Sequence, residues 1–227
     1  MTDPHPGAGA PAQTHAYILL DRTGSMGSIW TEALGSVNAY AEALTQPAGG
    51  ARPSGNDKIT LAVFDHHDGL KFDVLRRGVT AATWNKVTDA EASPRGMTPL
   101  FDSIARIVAL AEGDAPQRAV IVIMTDGEEN ASKEVTKDGA RAALDRARAK
   151  GWEVVFLGAE FGKFADADAV GVIRSKSMAV SAGSMELSMR KLASKSRKYF
   201  EAAETMEFNE EDRKESGEDD VKRRKGK

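Results

Sequence analysis

Two short apolar runs constrain this chain more than anything else in it: residues 16–20 (AYILL) and 119–124 (AVIVIM), each of which breaks off at an aspartate, Asp21 directly and Asp126 after Thr125. Runs of this length, without charge, bounded by polar turns and followed by helical periodicity, read as strands buried on both faces of a parallel sheet. Such a sheet needs helical crossovers, and ligands collect beyond the carboxyl ends of its strands. Both aspartates therefore stand where such a fold does its chemistry.

The remaining periodicities fill in the crossovers. Trp30, Leu34, Val37, Ala41 and Leu44 recur at helical spacing, with Ser28 as the expected N-cap and a Gly/Pro loop over residues 48–56. Residues 58–65 (KITLAVFD) and 70–75 (LKFDVL) are strands separated by HHDG, a hairpin signal that makes the second strand antiparallel. A short helix is expected over residues 81–91. A second amphipathic helix carries Leu100, Ile104, Ile107 and Leu110, with Pro99 at its first turn. A third helix is expected over residues 132–150, with Asn130 and Ser132 as its caps and Gly151 as its stop. Residues 152–157 (WEVVFL) form another buried strand. A short helix over 161–169, a weaker strand over 171–174 and a last helix through Met185, Met189, Leu192 and Tyr199 complete the pattern, the methionines being core filler.

Strands alternating with helices, plus one hairpin edge, give a doubly wound, Rossmann-like α/β fold: a mostly parallel six-stranded sheet with one antiparallel edge strand and helices on both faces. One domain is expected over residues 15–205. Residues 1–14, rich in Pro, Gly and Ala, read as a disordered leader, and residues 206–227, charge blocks without apolar periodicity, as a disordered tail.

At the first strand end, Asp21, Thr23 and Ser25 alternate with Arg22 and Gly24, so a turn that curls back can aim three oxygens at one point. Thr98 offers a further hydroxyl just before the second amphipathic helix, and Asp126 a second carboxylate. Hard oxygen donors converging on a point suit Mg2+ or a similar cation. One residue at a time, a turn former or helix cap is the simpler explanation; the five together, at successive element ends, favour a metal site. His66 and His67, beside Asp65 and Asp68, read as an exposed hairpin turn rather than a second metal site, and Glu128, Glu129 and Glu160 as solvated loop charges.

The pattern Asp21-x-Thr23-x-Ser25, then Thr98, then Asp126 resembles the metal-ion-dependent adhesion site of von Willebrand factor type A domains, with Thr23 where that family more often has Ser. The resemblance covers roughly residues 16–200 and implies strand order 3-2-1-4-5-6, which makes the strands ending at Asp21 and Asp126 neighbours. It further implies Ser25 and Thr23 as direct ligands of Mg2+, with Mn2+ or Ca2+ as alternatives. Thr98 would be a ligand in one conformational state, and Asp21 and Asp126 would act through water. By the same resemblance the open position on the ion takes a Glu or Asp of a partner protein. A stand-alone bacterial or bacteriophage member, acting as an adhesion or scaffold module, is the leading expectation. A protein that keeps the metal only as a stabilising staple is the alternative.

Other classes fit less well. No cysteine occurs, which leaves disulfides and thiolate metal sites out. A net charge of −3 gives no general pull toward nucleic acid. The opening residues lack the basic start and apolar stretch of a signal peptide, and no run approaches a membrane span, so a cytoplasmic protein is expected. As an enzyme it lacks the parts: G-x-G-x-x-G, a P-loop and a G-x-S-x-G elbow are all missing, and a phosphatase reading fails because Thr23 stands where a second acid is needed.

Overall fold

The computed structural model describes residues 13–46, 57–159, 167–168 and 170–225. Six strands form one sheet in the order β3-β2-β1-β4-β5-β6: β1 Thr14–Asp21, β2 Lys58–His66, β3 Leu70–Thr80, β4 Arg118–Thr125, β5 Glu153–Ala159 and β6 Ser177–Val180. Among these six strands only the β2–β3 pair is antiparallel. The chain moves one way from β1 and the other way from β4, so β1 and β4 flank the point where the order reverses, and a doubly wound sheet binds ligands at that point. The expected fold class and strand order both hold.

The period of two along each strand sorts the core into two layers. Ala16, Ile18, Leu20, Val120, Val122 and Met124 face α1 (Trp30–Leu44) and α4 (Met185–Ala202). Tyr17, Leu19, Ile121 and Ile123 face α2 (Leu100–Asp114) and α3 (Lys137–Ala149). Register pairs Leu20 with Met124, which levels Asp21 with Thr125 and sets Asp126 one residue beyond.

Several local expectations need correction. Ser28 does not cap α1: residues Gly24–Ser28 form a 3-10 turn, and the helix starts after Ile29. The helix expected over 81–91 is a 3-10 turn, Ala81–Thr83, then irregular chain that ends in a turn at 89–91. Asn38 holds that chain by accepting from Trp84 Nε1 and Val87 N, while Arg76 donates to the carbonyls of Asn85 and Lys86. These outside groups take the bonds a helix would make with itself. Helix α3 begins at Lys137, where Thr136 caps it, not near residue 132. The last strand is Ser177–Val180 rather than 171–174, because Gly171 adopts φ +75° and closes a turn on Asp168 O. The helix expected over 161–169 lies largely outside the described residues, as do Glu160 and residues 1–12 of the leader; Thr14 already opens β1.

The charged stretch from residue 206, expected as a solvated tail, is built into the fold. It forms α5 (Glu210–Glu215), closed by a reciprocal Asn209–Asp212 capping box, and α6 (Glu218–Lys225). Its polar groups take the place of a seventh strand along β6. Arg213 donates to Ser177 O at 3.0 Å, Ser216 Oγ to Ala179 O at 2.8 Å, and Ser181 N to Ser216 O at 2.9 Å. An open sheet edge is an aggregation template unless covered. Here the charges do the covering, with Glu218, 1% exposed, gripped by Arg174, Arg213 and Lys222.

Candidate metal centre

Three loops meet at the carboxyl end of β1 and β4. Asp21 closes β1 completely buried; its Oδ1 accepts from Thr23 N at 2.7 Å and its Oδ2 from the Thr125 hydroxyl at 2.5 Å. Burial pushes the Asp21 carboxyl up to about 7; hydrogen bonds from Thr125 and Thr23 oppose the shift, and the charge of Asp126 adds to it. The next two oxygens follow in a chain: Thr23 Oγ1 lies 3.1 Å from Ser25 Oγ, which donates to Asp126 Oδ1 at 2.7 Å. Thr98, 3% exposed, arrives from the segment before α2. A methyl group on Gly127 would sit 3.2 Å from Thr98 Oγ1 and 3.6 Å from Ser25 Oγ, so both hydroxyls crowd the same glycine. All five expected residues thus come together.

Their surroundings fix them. Gly24 N donates to Gly96 O at 3.2 Å, joining the first loop to the segment before Thr98. Gly96 has φ +68°, and a Cβ there would lie 2.4 Å from His66 O, so only glycine allows this close passage. Thr98 N donates to Asn130 Oδ1 at 2.8 Å, and Asn130 N to Thr98 O at 3.1 Å.

The acids expected to be solvated or ignored here do much of the bracing. Glu129 accepts from Phe101 N, Ala131 N and Ser132 N, and Asp102 accepts from the amides of Lys133, Glu134 and Val135. Asn130 and Ser132 therefore tie loop to loop instead of capping α3. Each acid reaches amides of another segment, which a reading by residue spacing does not detect; an acid in the first turn of α2 was the available clue.

Chemically the cluster offers two carboxylates and three hydroxyls, all hard donors. Among the described residues no three or more His, Asp or Glu side chains gather as a metal-ligating group, so a cation here would depend on the hydroxyls. The donor set fits Mg2+ or a cation like it: Asp21 is a carboxylate out of water with no basic side chain bonded to it, and burying such a charge without a counter-ion is costly.

No protein-family model matches the chain, and no curated protein matches it in sequence. Solved structures do match it in fold. The pilus adhesin SpaC from Lactobacillus rhamnosus GG superposes with a TM-score of 0.62 at 14% identity, over 85% of this chain and 31% of that one. The vWF domain of the type V pili tip protein Mfa5 from Porphyromonas gingivalis gives 0.59 at 11%, over 82% and 95%. Proximal thread matrix protein 1 from the mussel byssus, with a zinc-occupied MIDAS motif, gives 0.58 at 14%, over 82% and 48%. The chain spans about a third of SpaC and about half of the mussel protein. At these identities the likeness shows the fold, which is that of a von Willebrand factor type A domain.

Proposed function

We propose that this von Willebrand factor A-like chain is a divalent-metal-dependent protein-binding module, in which Asp21, Thr23, Ser25, Thr98 and Asp126 hold Mg2+ and the ion accepts a Glu or Asp of a partner protein. The observation that carries the reading is the convergence of Thr23, Ser25, Thr98 and Asp126 from three separate loops beside the buried Asp21. A bound divalent ion supplies a Lewis-acidic position for an incoming carboxylate. Hydroxyls add no charge, so two carboxylates at most neutralise the ion and leave it able to attract another anion. The N-terminus of α2 follows Thr98 directly and its positive end favours negative charge nearby. The similarity to adhesins, and to a protein with a zinc-occupied MIDAS motif, supports the same assignment.

The test uses Mn2+ as a spectroscopic probe. Titration of the full chain followed by electron paramagnetic resonance should find one site, displaced by Mg2+ and lost in Ser25→Ala and Asp126→Ala. N-acetylglutamate amide should then perturb the spectrum of the loaded wild type. Absence of a stoichiometric Mn2+ site in the wild type would overturn the reading.

A further inference from the structure

We propose that Asp65 is a positioning residue for the metal centre: it locks the segment carrying Thr98 to the loop carrying Thr23 and Ser25, and so decides whether Thr98 shares an ion with them. The inference rests on the metal reading above. Asp65 lies near the end of β2, one strand away from Asp21, and is completely buried. It receives guanidinium groups from both loops on a single oxygen. Arg22, placed between Asp21 and Thr23, donates through Nε to Asp65 Oδ2, and Arg95, three residues before Thr98, donates through Nε to the same atom at 3.2 Å. Arg22 also reaches across to Asp73 on β3.

The backbone is paired along the same line. Arg95 N donates to Arg22 O at 2.9 Å, and His66 and Met97 exchange bonds of 2.9 and 3.2 Å as an antiparallel bridge. These backbone bonds join the two loops along one edge. The two arginines meeting at one carboxylate brace that edge from the β2 side.

Asp65 Oδ1 is buried and bonds nothing. Breaking a buried carboxylate's partnership is costly, and leaving half of it unsatisfied costs stability as well. A side chain present for stability alone would be better satisfied or apolar. What this one provides is geometry, since a planar guanidinium on each side fixes two loops relative to one point. Mg2+ tolerates little deviation from octahedral donors at about 2.0 to 2.1 Å, so a small slip of residues 95–98 would take Thr98 Oγ1 out of reach of an ion held by Ser25.

A double-mutant cycle on Mn2+ affinity, read by electron paramagnetic resonance, tests this. Asp65→Asn keeps the shape and removes the charge. It should weaken Mn2+ about tenfold, the lower end of the effect of losing an outer-shell partner. Thr98→Ala should weaken it comparably, and Asp65→Asn in the Thr98→Ala background should add less than twofold, because the loop would no longer carry a donor to position. Asp73→Asn, which touches Arg22 but not the Thr98 segment, should stay within twofold of wild type. Unchanged affinity in Asp65→Asn, full additivity with Thr98→Ala, or no effect of Thr98→Ala would each overturn the proposal. If Asp65→Asn does not fold, Arg95→Gln, with a side chain 41% exposed, replaces it in the same cycle under the same criterion. A wild type that binds no Mn2+ fails the function proposed above instead, so the two failures are distinct.

Discussion

The two ends of the central strands carry similar polar groups and use them in opposite ways. At the amino end, His15, Tyr17, Thr60, Asp114 and Arg77 form a closed chain. Tyr17 donates to Asp114 at 2.9 Å, so its oxygen accepts from His15 Nδ1 at 2.9 Å; His15 Nε2 then accepts from Thr60 Oγ1 at 2.8 Å, and Thr60 Oγ1 accepts from Gly78 N at 2.9 Å. Arg77 completes the chain with two bonds to Asp114. At the carboxyl end, two carboxylates share one cluster, and the bonds to Asp21 come from a backbone amide and a hydroxyl. The first arrangement pairs its acid with a base, Asp114 with Arg77. The second sets a buried acid beside another acid, the arrangement for which we propose a cation.

The largest effect that would sharpen this contrast is on acid stability. Burial, chiefly, pulls the His15 pKa from 6.5 down to about 4, with Asp114 opposing and Lys58 and Arg77 assisting. Between those values the unfolded chain binds a proton that the folded chain refuses, so stability falls as pH drops from about 6.5 to about 4, by about 3 kcal/mol at most. Urea midpoints at pH 7 and pH 4.5 should converge toward each other in His15→Gln relative to wild type. An equal acid loss in both proteins would show that the ring is charged in the fold.

Next in size is the metal. At free Mg2+ about 100 times its dissociation constant, linkage gives about 2.7 kcal/mol. For a domain of this size that is a rise of about 5 to 10 °C in melting temperature. The rise should vanish in Asp21→Asn and persist in His15→Gln; a melt indifferent to Mg2+ and chelator in the wild type would erase the distinction between the ends. Smallest is Thr60→Val, which removes a hydroxyl serving the buried His15 and the half-buried Gly78 N and should cost about 2 kcal/mol. That loss should be the same with and without Mg2+, as measured by denaturant titration. A metal-dependent loss would mean the two ends are coupled through β1.

Much of this was open to reading from residue order. Alternating and continuous apolar patterns locate strands because the pleat puts every second side chain on one face, and the two core layers follow that alternation residue by residue. The five oxygens proposed for the centre could be picked out because each lies in a connection that follows a strand or precedes a helix. The covering tail was not: a run such as residues 209–220 has the composition of a solvated segment, and nothing local says that Arg213 and Ser216 will meet the carbonyls of β6. The same applies to the straps on 84–87, where a single Asn38 displaces a helix that the local pattern permits.

The sequence by itself therefore determined the central strands, the main helices and the doubly wound class, and it named the residues proposed as ligands, since these readings depend on periodicity and on residues adjacent in the chain. Only the tertiary structure decided that Glu129 and Asp102 zip the third loop to α2, that acidic and basic residues seal the β6 edge, and that Arg22 and Arg95 converge on one oxygen of Asp65. Those choices turn on long-range pairing of charges, whose energy is set by burial and by the few ångströms between groups far apart in the chain. Such distances exist only once the sheet has closed.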